Sequence, residues 1–124
     1  MSHFTKLAQA NVVSKSAFIK AAAELGFTSV KENTKVRGYM GNEMVADVVV
    51  AREGCQYDIG LVKNGDKYDV ISDWWGVRHH VPDVENKLSQ LTAKHTIVDE
   101  YASQGFFADV QFGEDENLTI TLTR

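Results

Sequence analysis

The chain has 124 residues, 17 acidic against 13 basic, for a formal net charge of −4. That length buries roughly two-thirds of the unfolded surface, enough for one domain over residues 1–124 with no structural metal. The acidic balance argues against a phosphate backbone as partner, the lone Cys55 excludes an internal disulfide, and no apolar run approaches the ~20 residues of a membrane helix.

Met1-Ser2-His3-Phe4 lacks the basic and apolar regions of a signal peptide, so a soluble cytoplasmic protein without membrane insertion is expected. From Ser2 to Ala8 the side chains alternate in polarity, as in a short strand. Ser14 or Ser16 offers an N-cap oxygen, Phe18, Ala22 and Leu25 follow at helical spacing, and Gly26 supplies a left-handed stop. A helix is therefore predicted over 14–25. Short strands follow at Phe27–Lys31 and Val36–Tyr39, with a turn near Gly41-Asn42. Met44–Arg52 is rich in valine, whose β-branched side chain suits a sheet. Gln56–Val62 and Lys67–Asp73 flank Asn64-Gly65, the strongest hairpin signal in the chain. The whole middle region reads as an antiparallel meander.

Pro82 and Asp83 are suited to open a second helix. Val84, Leu88, Leu91, His95, Val98 and Ala102 form one helical stripe, with a possible break at the poorer helix formers Thr92 to Thr96, and Gly105 ends it. A last hairpin joins Phe106–Phe112 to Leu118–Leu122 around Glu114-Asp115-Glu116-Asn117. The two helices echo each other, since each ends in Gly-Phe and feeds a strand. The fold predicted is α+β: a ferredoxin-like plait, an antiparallel sheet with two helices on one face and an elaborated central meander.

Asp73 to His80 is the most unusual surface candidate, with Trp74, Trp75, Gly76, Arg78, His79 and His80 following a strand. Strand neighbours point to opposite faces, so one tryptophan is expected in the core and the other on the opposite side. The cheaper reading makes both structural anchors. The functional reading makes the segment a docking surface, with Arg78 as a cation or an anion clamp. His79-His80 diverge in an extended segment and lack a metal-binding spacing, so no metal is assigned. His95, on the helical stripe, reads first as a core histidine and second as a general base. Asp58, Asp66, Asp69 and Asp73 make a carboxylate-rich meander that turns and solvated faces explain. Cys55 reads as semi-exposed and unreactive, because nothing local lowers its pKa. No phosphate-cradling loop occurs, and Lys35 and Arg37 are too sparse for a basic patch.

Several stretches together resemble a family of uncharacterised proteins of cyanobacteria, algal plastids (where it is a hypothetical chloroplast reading frame) and cyanobacterial viruses. They are Met1-Ser2-His3-Phe4, Val36-Arg37-Gly38-Tyr39, Tyr57-Asp58-Ile59-Gly60, Lys63 to Tyr68, Asp73-Trp74-Trp75-Gly76-Val77 and the helix end Ala102 to Phe106. The resemblance spans nearly the whole chain and implies the cyanobacterial cytoplasm, or that of an infected host, or the plastid stroma. It implies no settled activity and assigns no functional residue. Arg78-His79-His80 departs from the family's pattern.

The leading expectation is a non-enzymatic binding or assembly module without a cofactor, its partner a second copy or another protein. The alternative is a small-ligand protein or enzyme with a pocket at Trp74 or Trp75, Arg78 gripping an anion and His79 or His95 as base. A third expectation, RNA stacking on the sheet aromatics Phe4, Tyr39, Tyr57 and Tyr68, is disfavoured because no RNP-like run is present.

Overall fold

A computed structural model of the chain describes residues 4–7, 12–41, 43–114 and 118–124. The first helix, α1 (Lys15–Glu24), starts where Ser14 Oγ accepts a hydrogen bond from Ala17 N at 3.1 Å. Its Ala17, Phe18, Ala21 and Ala22 are buried. At its end Gly26 adopts φ +92°, Phe27 N donates to the Ala22 carbonyl at 3.0 Å, and Gly26 N donates to that of Ala23. The long helix α3 (Val84–Ser103) ends the same way: Gly105 lies at φ +86°, Phe106 N donates to Tyr101 O, and Gly105 N to Ala102 O. Both are Schellman caps, which need a residue at positive φ that glycine adopts without strain. The Gly-Phe echo in the sequence is thus one capping geometry used twice.

Five strands form an antiparallel sheet: β1 (Thr5–Lys6), β2 (Ser29–Arg37), β3 (Glu43–Ala51), β4 (Ile59–Asn64) and β5 (Lys67–Ser72), in the order β1-β5-β4-β3-β2. The β2–β5 meander is the one expected. On one face, Val48, Val50, Ile59, Leu61 and Val70 meet Phe18, Ala21 and Ala22 of α1 and Val84 and Leu88 of α3 in the main core. The fold is accordingly α+β and plait-like, with helices packed on one face of an antiparallel sheet. The other face is not left bare. Val36, Ala46, Val49 and Ile71 form a second cluster there, with Phe4 and Val62 against it.

That second cluster depends on a break in alternation. Ala46 and Val49 share a face although they are three residues apart, while Val48 points to the main core. The ladder pairs Glu32 with Val48 and Thr34 with Ala46, but skips Asn33, which sits at φ +48°. Period-two side chains can change face only at such an irregularity. The outer half of the β2–β3 ribbon is thereby turned to cover the second face.

Four local expectations change. The two strands expected at Phe27–Lys31 and Val36–Tyr39 are replaced by one, β2, which begins at Ser29 and ends at Arg37, leaving Tyr39 in the turn that follows. The Gln56 strand begins only at Ile59. Helix α3 runs without a break, and Thr96 Oγ1 donates to the Thr92 carbonyl within it at 2.8 Å. Asp83 stands at its start with φ +59° but bonds Asn86 Nδ2 rather than capping a backbone N–H. The turn residue Asn42, the ends of the expected first strand (Ser2, His3 and Ala8) and Asp115-Glu116-Asn117 lie outside the described residues. The largest addition is α2 (Trp74–His80), a helix where an extended segment was expected. After α3, β6 (Phe107–Phe112) and β7 (Leu118–Thr123) pair with each other in a separate two-stranded sheet, with β6 against α3.

Candidate functional site

Phe4 and the strings Val36 to Tyr39, Tyr57 to Gly60 and Asp73 to Val77, which carry much of the family resemblance, converge at one end of the main sheet, while Lys63 to Tyr68 turns at its other end and Ala102 to Phe106 caps α3. Asp58, just before β4, is buried, and its carboxylate accepts from Arg37 N at 2.9 Å, Arg37 Nε at 3.0 Å and Arg37 Nη2 at 2.9 Å. Asp58 N returns a bond to the Arg37 carbonyl, and Arg37 Nη2 also reaches Cys55 O. Donating to Asp58 raises the pKa of the Arg37 guanidinium above its ordinary value, since an acceptor bonded to the charged form favours that form. Asp73, also buried, accepts from Tyr39 N at 2.8 Å. Two acids therefore fix the end of β2 and the turn that follows it.

Small residues complete the joint. The Phe4 ring lies on Gly38, where a Cβ would come within 2.7 Å of it. Gly60 faces Val36 and Ala46, where a Cβ would meet the Val36 methyl at 2.6 Å. The Tyr57 ring packs flat on Gly76, leaving no room for any side chain there. Trp74 turns into the main core, and its indole N–H donates to the Thr5 carbonyl at 3.0 Å.

What this joint holds outward is aromatic. Trp75 is 52% exposed. Tyr39 meets it edge-on, with ring centroids 6.1 Å apart, and the His79 ring lies tilted against it at 4.5 Å. Trp75 and His79 are one helical turn apart on α2, so they share a face, and His79 Nδ1 lies 2.7 Å from the Trp75 carbonyl. Beside them Met40 is 83% exposed and sits at φ +56° in the short turn Tyr39–Gly41. A methionine in the left-handed region costs backbone energy that the surroundings must offset. Next to this turn a groove of about 660 Å³ is lined by Arg37, Tyr39, Met40, Gln56 and Tyr57.

The other residues singled out in the sequence stand elsewhere. Arg78 is engaged by Glu85, at 2.7 Å from Nε and 2.6 Å from Nη2, beside a concavity of about 370 Å³ that Trp74 also lines. His95 joins Glu24 of α1 at 2.6 Å, and with Lys20–Asp99 at 2.8 Å it ties α3 to α1. His80 is exposed, and its carbonyl faces Arg52 Nη1. Among the described residues no group of three or more His, Cys, Asp or Glu side chains is placed to hold a metal ion, and no helix is long and apolar enough to cross a membrane. Cys55 is buried rather than semi-exposed, its thiol donating to the Tyr57 carbonyl at 3.3 Å. Burial pushes its pKa up.

A further concavity, of about 750 Å³, adjoins the Arg37–Asp58 pair. It is lined by Lys31, Lys35, Arg37 and Arg52 together with Glu53 and Asp58. Sequence reasoning missed Tyr39, Met40 and the Arg37–Asp58 pair as site residues. Arg37, Tyr39 and Asp58 stand in the strings Val36 to Tyr39 and Tyr57 to Gly60, the sequence offers Tyr39 only for RNA stacking, and no sequence signal points to Met40.

A family model described as a protein of unknown function (DUF1257) matches residues 21–122. The chain belongs to this family. No curated protein and no solved structure matches it. The DUF1257 match takes in all of the joint except Phe4 and β1.

Proposed function

We propose that this DUF1257 chain is a protein-binding module whose contact surface is Tyr39, Met40, Trp75 and His79. The observation that carries the proposal is the exposed, mutually packed Tyr39–Trp75–His79 cluster, held from behind by two buried carboxylates. Tryptophan and tyrosine dominate the energetics of protein interfaces, because they bury a large area at low entropic cost. A rigid backing adds to this, since little ordering is left to occur on binding. Met40 adds a flexible apolar side chain that adapts to a partner's surface. The setting in which to seek the partner is that of the resemblance, cyanobacterial cytoplasm or plastid stroma. Affinity capture with the wild-type chain and with Trp75→Ala tests the reading: a specific co-purifying protein is expected, depleted at least tenfold by the substitution. Loss of nothing upon substitution would count against it.

The basic concavity favours a second reading, a site for a small anionic ligand. Four cations there face two carboxylates, although the whole chain carries −4. The Asp58 carboxylate already neutralises Arg37, and Glu43 pairs with Lys35 at 3.5 Å, which leaves Lys31 and Arg52 for the ligand. Titration calorimetry with inorganic phosphate and with a nucleoside triphosphate tests this. Binding that Lys31→Ala weakens supports it, and no heat at millimolar ligand refutes it.

A further inference from the structure

We propose that β7 pairs antiparallel with β7 of a second copy of this chain, about a twofold axis at Ile120. The inference concerns a surface separate from the aromatic one and does not depend on it.

The sheet β6–β7 is incomplete as it stands. A two-stranded sheet is marginally stable, and a third strand or a covering helix is ordinarily required. β6 has its cover: Ala108 and Val110 are buried, and β6 packs on α3. β7 does not. Register pairs Leu122 with Ala108, Ile120 with Val110 and Leu118 with Phe112, so these three side chains lie on the same face as the buried ones. They remain 40%, 37% and 41% exposed. Three aliphatic residues thus extend the apolar face past the edge of the helix that covers it.

The edge itself is unguarded. Exposed edge strands are normally blunted by lysine, proline, a bulge or an inward charge. Leu118 to Thr123 contains no charge and no proline, and its ladder with β6 is continuous.

The sequence then selects the occupant. Leu118-Thr119-Ile120-Thr121-Leu122 reads the same in both directions. In an antiparallel pair centred on Ile120, Leu118 lies opposite the partner's Leu122, Thr119 opposite the partner's Thr121, and Ile120 opposite the partner's Ile120. Directly opposed residues share a face, so every aliphatic side chain meets an aliphatic one and every threonine a threonine. A slip of one residue would set leucine against threonine throughout. A slip of two keeps the faces matched but leaves one leucine of each copy without an opposite.

Charge favours the same orientation. Arg124 follows β7 at one end of the hairpin, and Glu114 lies at its turn end. Antiparallel pairing sets each arginine at the turn end of the other copy's hairpin, the end where its Glu114 lies, whereas parallel pairing would bring the two arginines together. The product is a four-stranded sheet, β6-β7-β7-β6, with one continuous apolar face between the two α3 helices. This is an isologous contact that closes on itself.

Sedimentation equilibrium of the full chain tests the inference, with variants designed around the hairpin's outer face. Thr119 and Thr121 point away from α3, so Thr119→Lys/Thr121→Lys leaves the chain's own packing intact while opposing like charges across the axis. A dimer is expected at 100 µM, weakened at least tenfold by the double lysine variant. Mixing that variant with Thr119→Glu/Thr121→Glu is expected to restore it as a heterodimer. Ile120→Cys is expected to form an intermolecular disulfide on mild oxidation, and Thr119→Cys alone is not. A wild-type monomer at that concentration overturns the inference. So does a dimer that the lysine variant leaves unchanged while circular dichroism shows it folded.

Discussion

Gly76→Ala offers the sharpest test of how the joint is packed. Gly76 lies within α2 and is not at positive φ. With no neighbour, alanine would therefore stabilise the helix by about 1 kcal/mol. The Tyr57 ring decides otherwise. Three of its carbons, Cδ1, Cε1 and Cζ, stand closer to the position of the new Cβ than any real contact allows. The ring would have to retreat by about 1 Å from a close-packed setting, at the upper end of overpacking costs, about 3 kcal/mol. The net effect is a loss of about 2 kcal/mol, and urea unfolding followed by far-UV circular dichroism is the assay. With a denaturant slope of about 2 kcal/mol/M, the midpoint falls by about 1 M. In a Tyr57→Ala background the clash is gone, so the same substitution should raise the midpoint by about 0.5 M. The sign thus reverses between backgrounds, a coupling of about 3 kcal/mol. Equal destabilisation in both, or a neutral Gly76→Ala beside an intact Tyr57, would refute the packing argument.

The two tryptophans should separate cleanly. Trp75→Phe is expected to remove the red-shifted, acrylamide-quenchable emission with less than about 0.5 kcal/mol change in stability. Trp74→Phe, which loses the bond to Thr5 and leaves that carbonyl short of a donor, should cost about 2 kcal/mol and leave quenching unchanged. Asp58→Ala strands the Arg37 guanidinium and its backbone N–H. A loss of about 2 kcal/mol is expected in the urea midpoint, below the cost of breaking a fully buried pair because Arg37 is half exposed. Cys55 should react with iodoacetamide at pH 8 at least tenfold more slowly in the native chain than in urea. Burial raises its pKa, which lowers the thiolate fraction, and also blocks approach. Equal rates in the two states would place the thiol at the surface.

Much of the frame was legible because local chemistry decided it. Ser14 and Gly26 bracket α1, and the valines of β3 and the Asn64-Gly65 turn define the meander. α2 was not legible. A glycine in its middle and two adjacent tryptophans give a weak helical signal, and the helix forms where Gly76 N and Val77 N reach the Asp73 carbonyl and Trp74 finds a core to enter. Alternation nevertheless foresaw one tryptophan inside and one outside. Successive helical residues also diverge, by about 100°, so the outcome was shared by both geometries. The site was less legible still. Arg37 and Asp58 are joined across 21 positions, and Asp73 reaches Tyr39 across 34. No local pattern announces either pairing, and a carboxylate in a strand reads as solvated until the fold buries it. The burial of Cys55 was hidden for the same reason: its turn looked exposed, yet the Arg37 side chain reaches its carbonyl.

The central claim is that Tyr39, Met40, Trp75 and His79 form the surface on which another protein docks. The most direct measurement places a photo-crosslinking amino acid at position 40, within cells that naturally make the chain, and resolves the adducts by mass spectrometry. A single predominant protein adduct is predicted, lost when Trp75→Ala is added and retained when Lys94→Ala, on the distant helix α3, is added instead. An adduct indifferent to Trp75→Ala, or no protein adduct at all, contradicts the account.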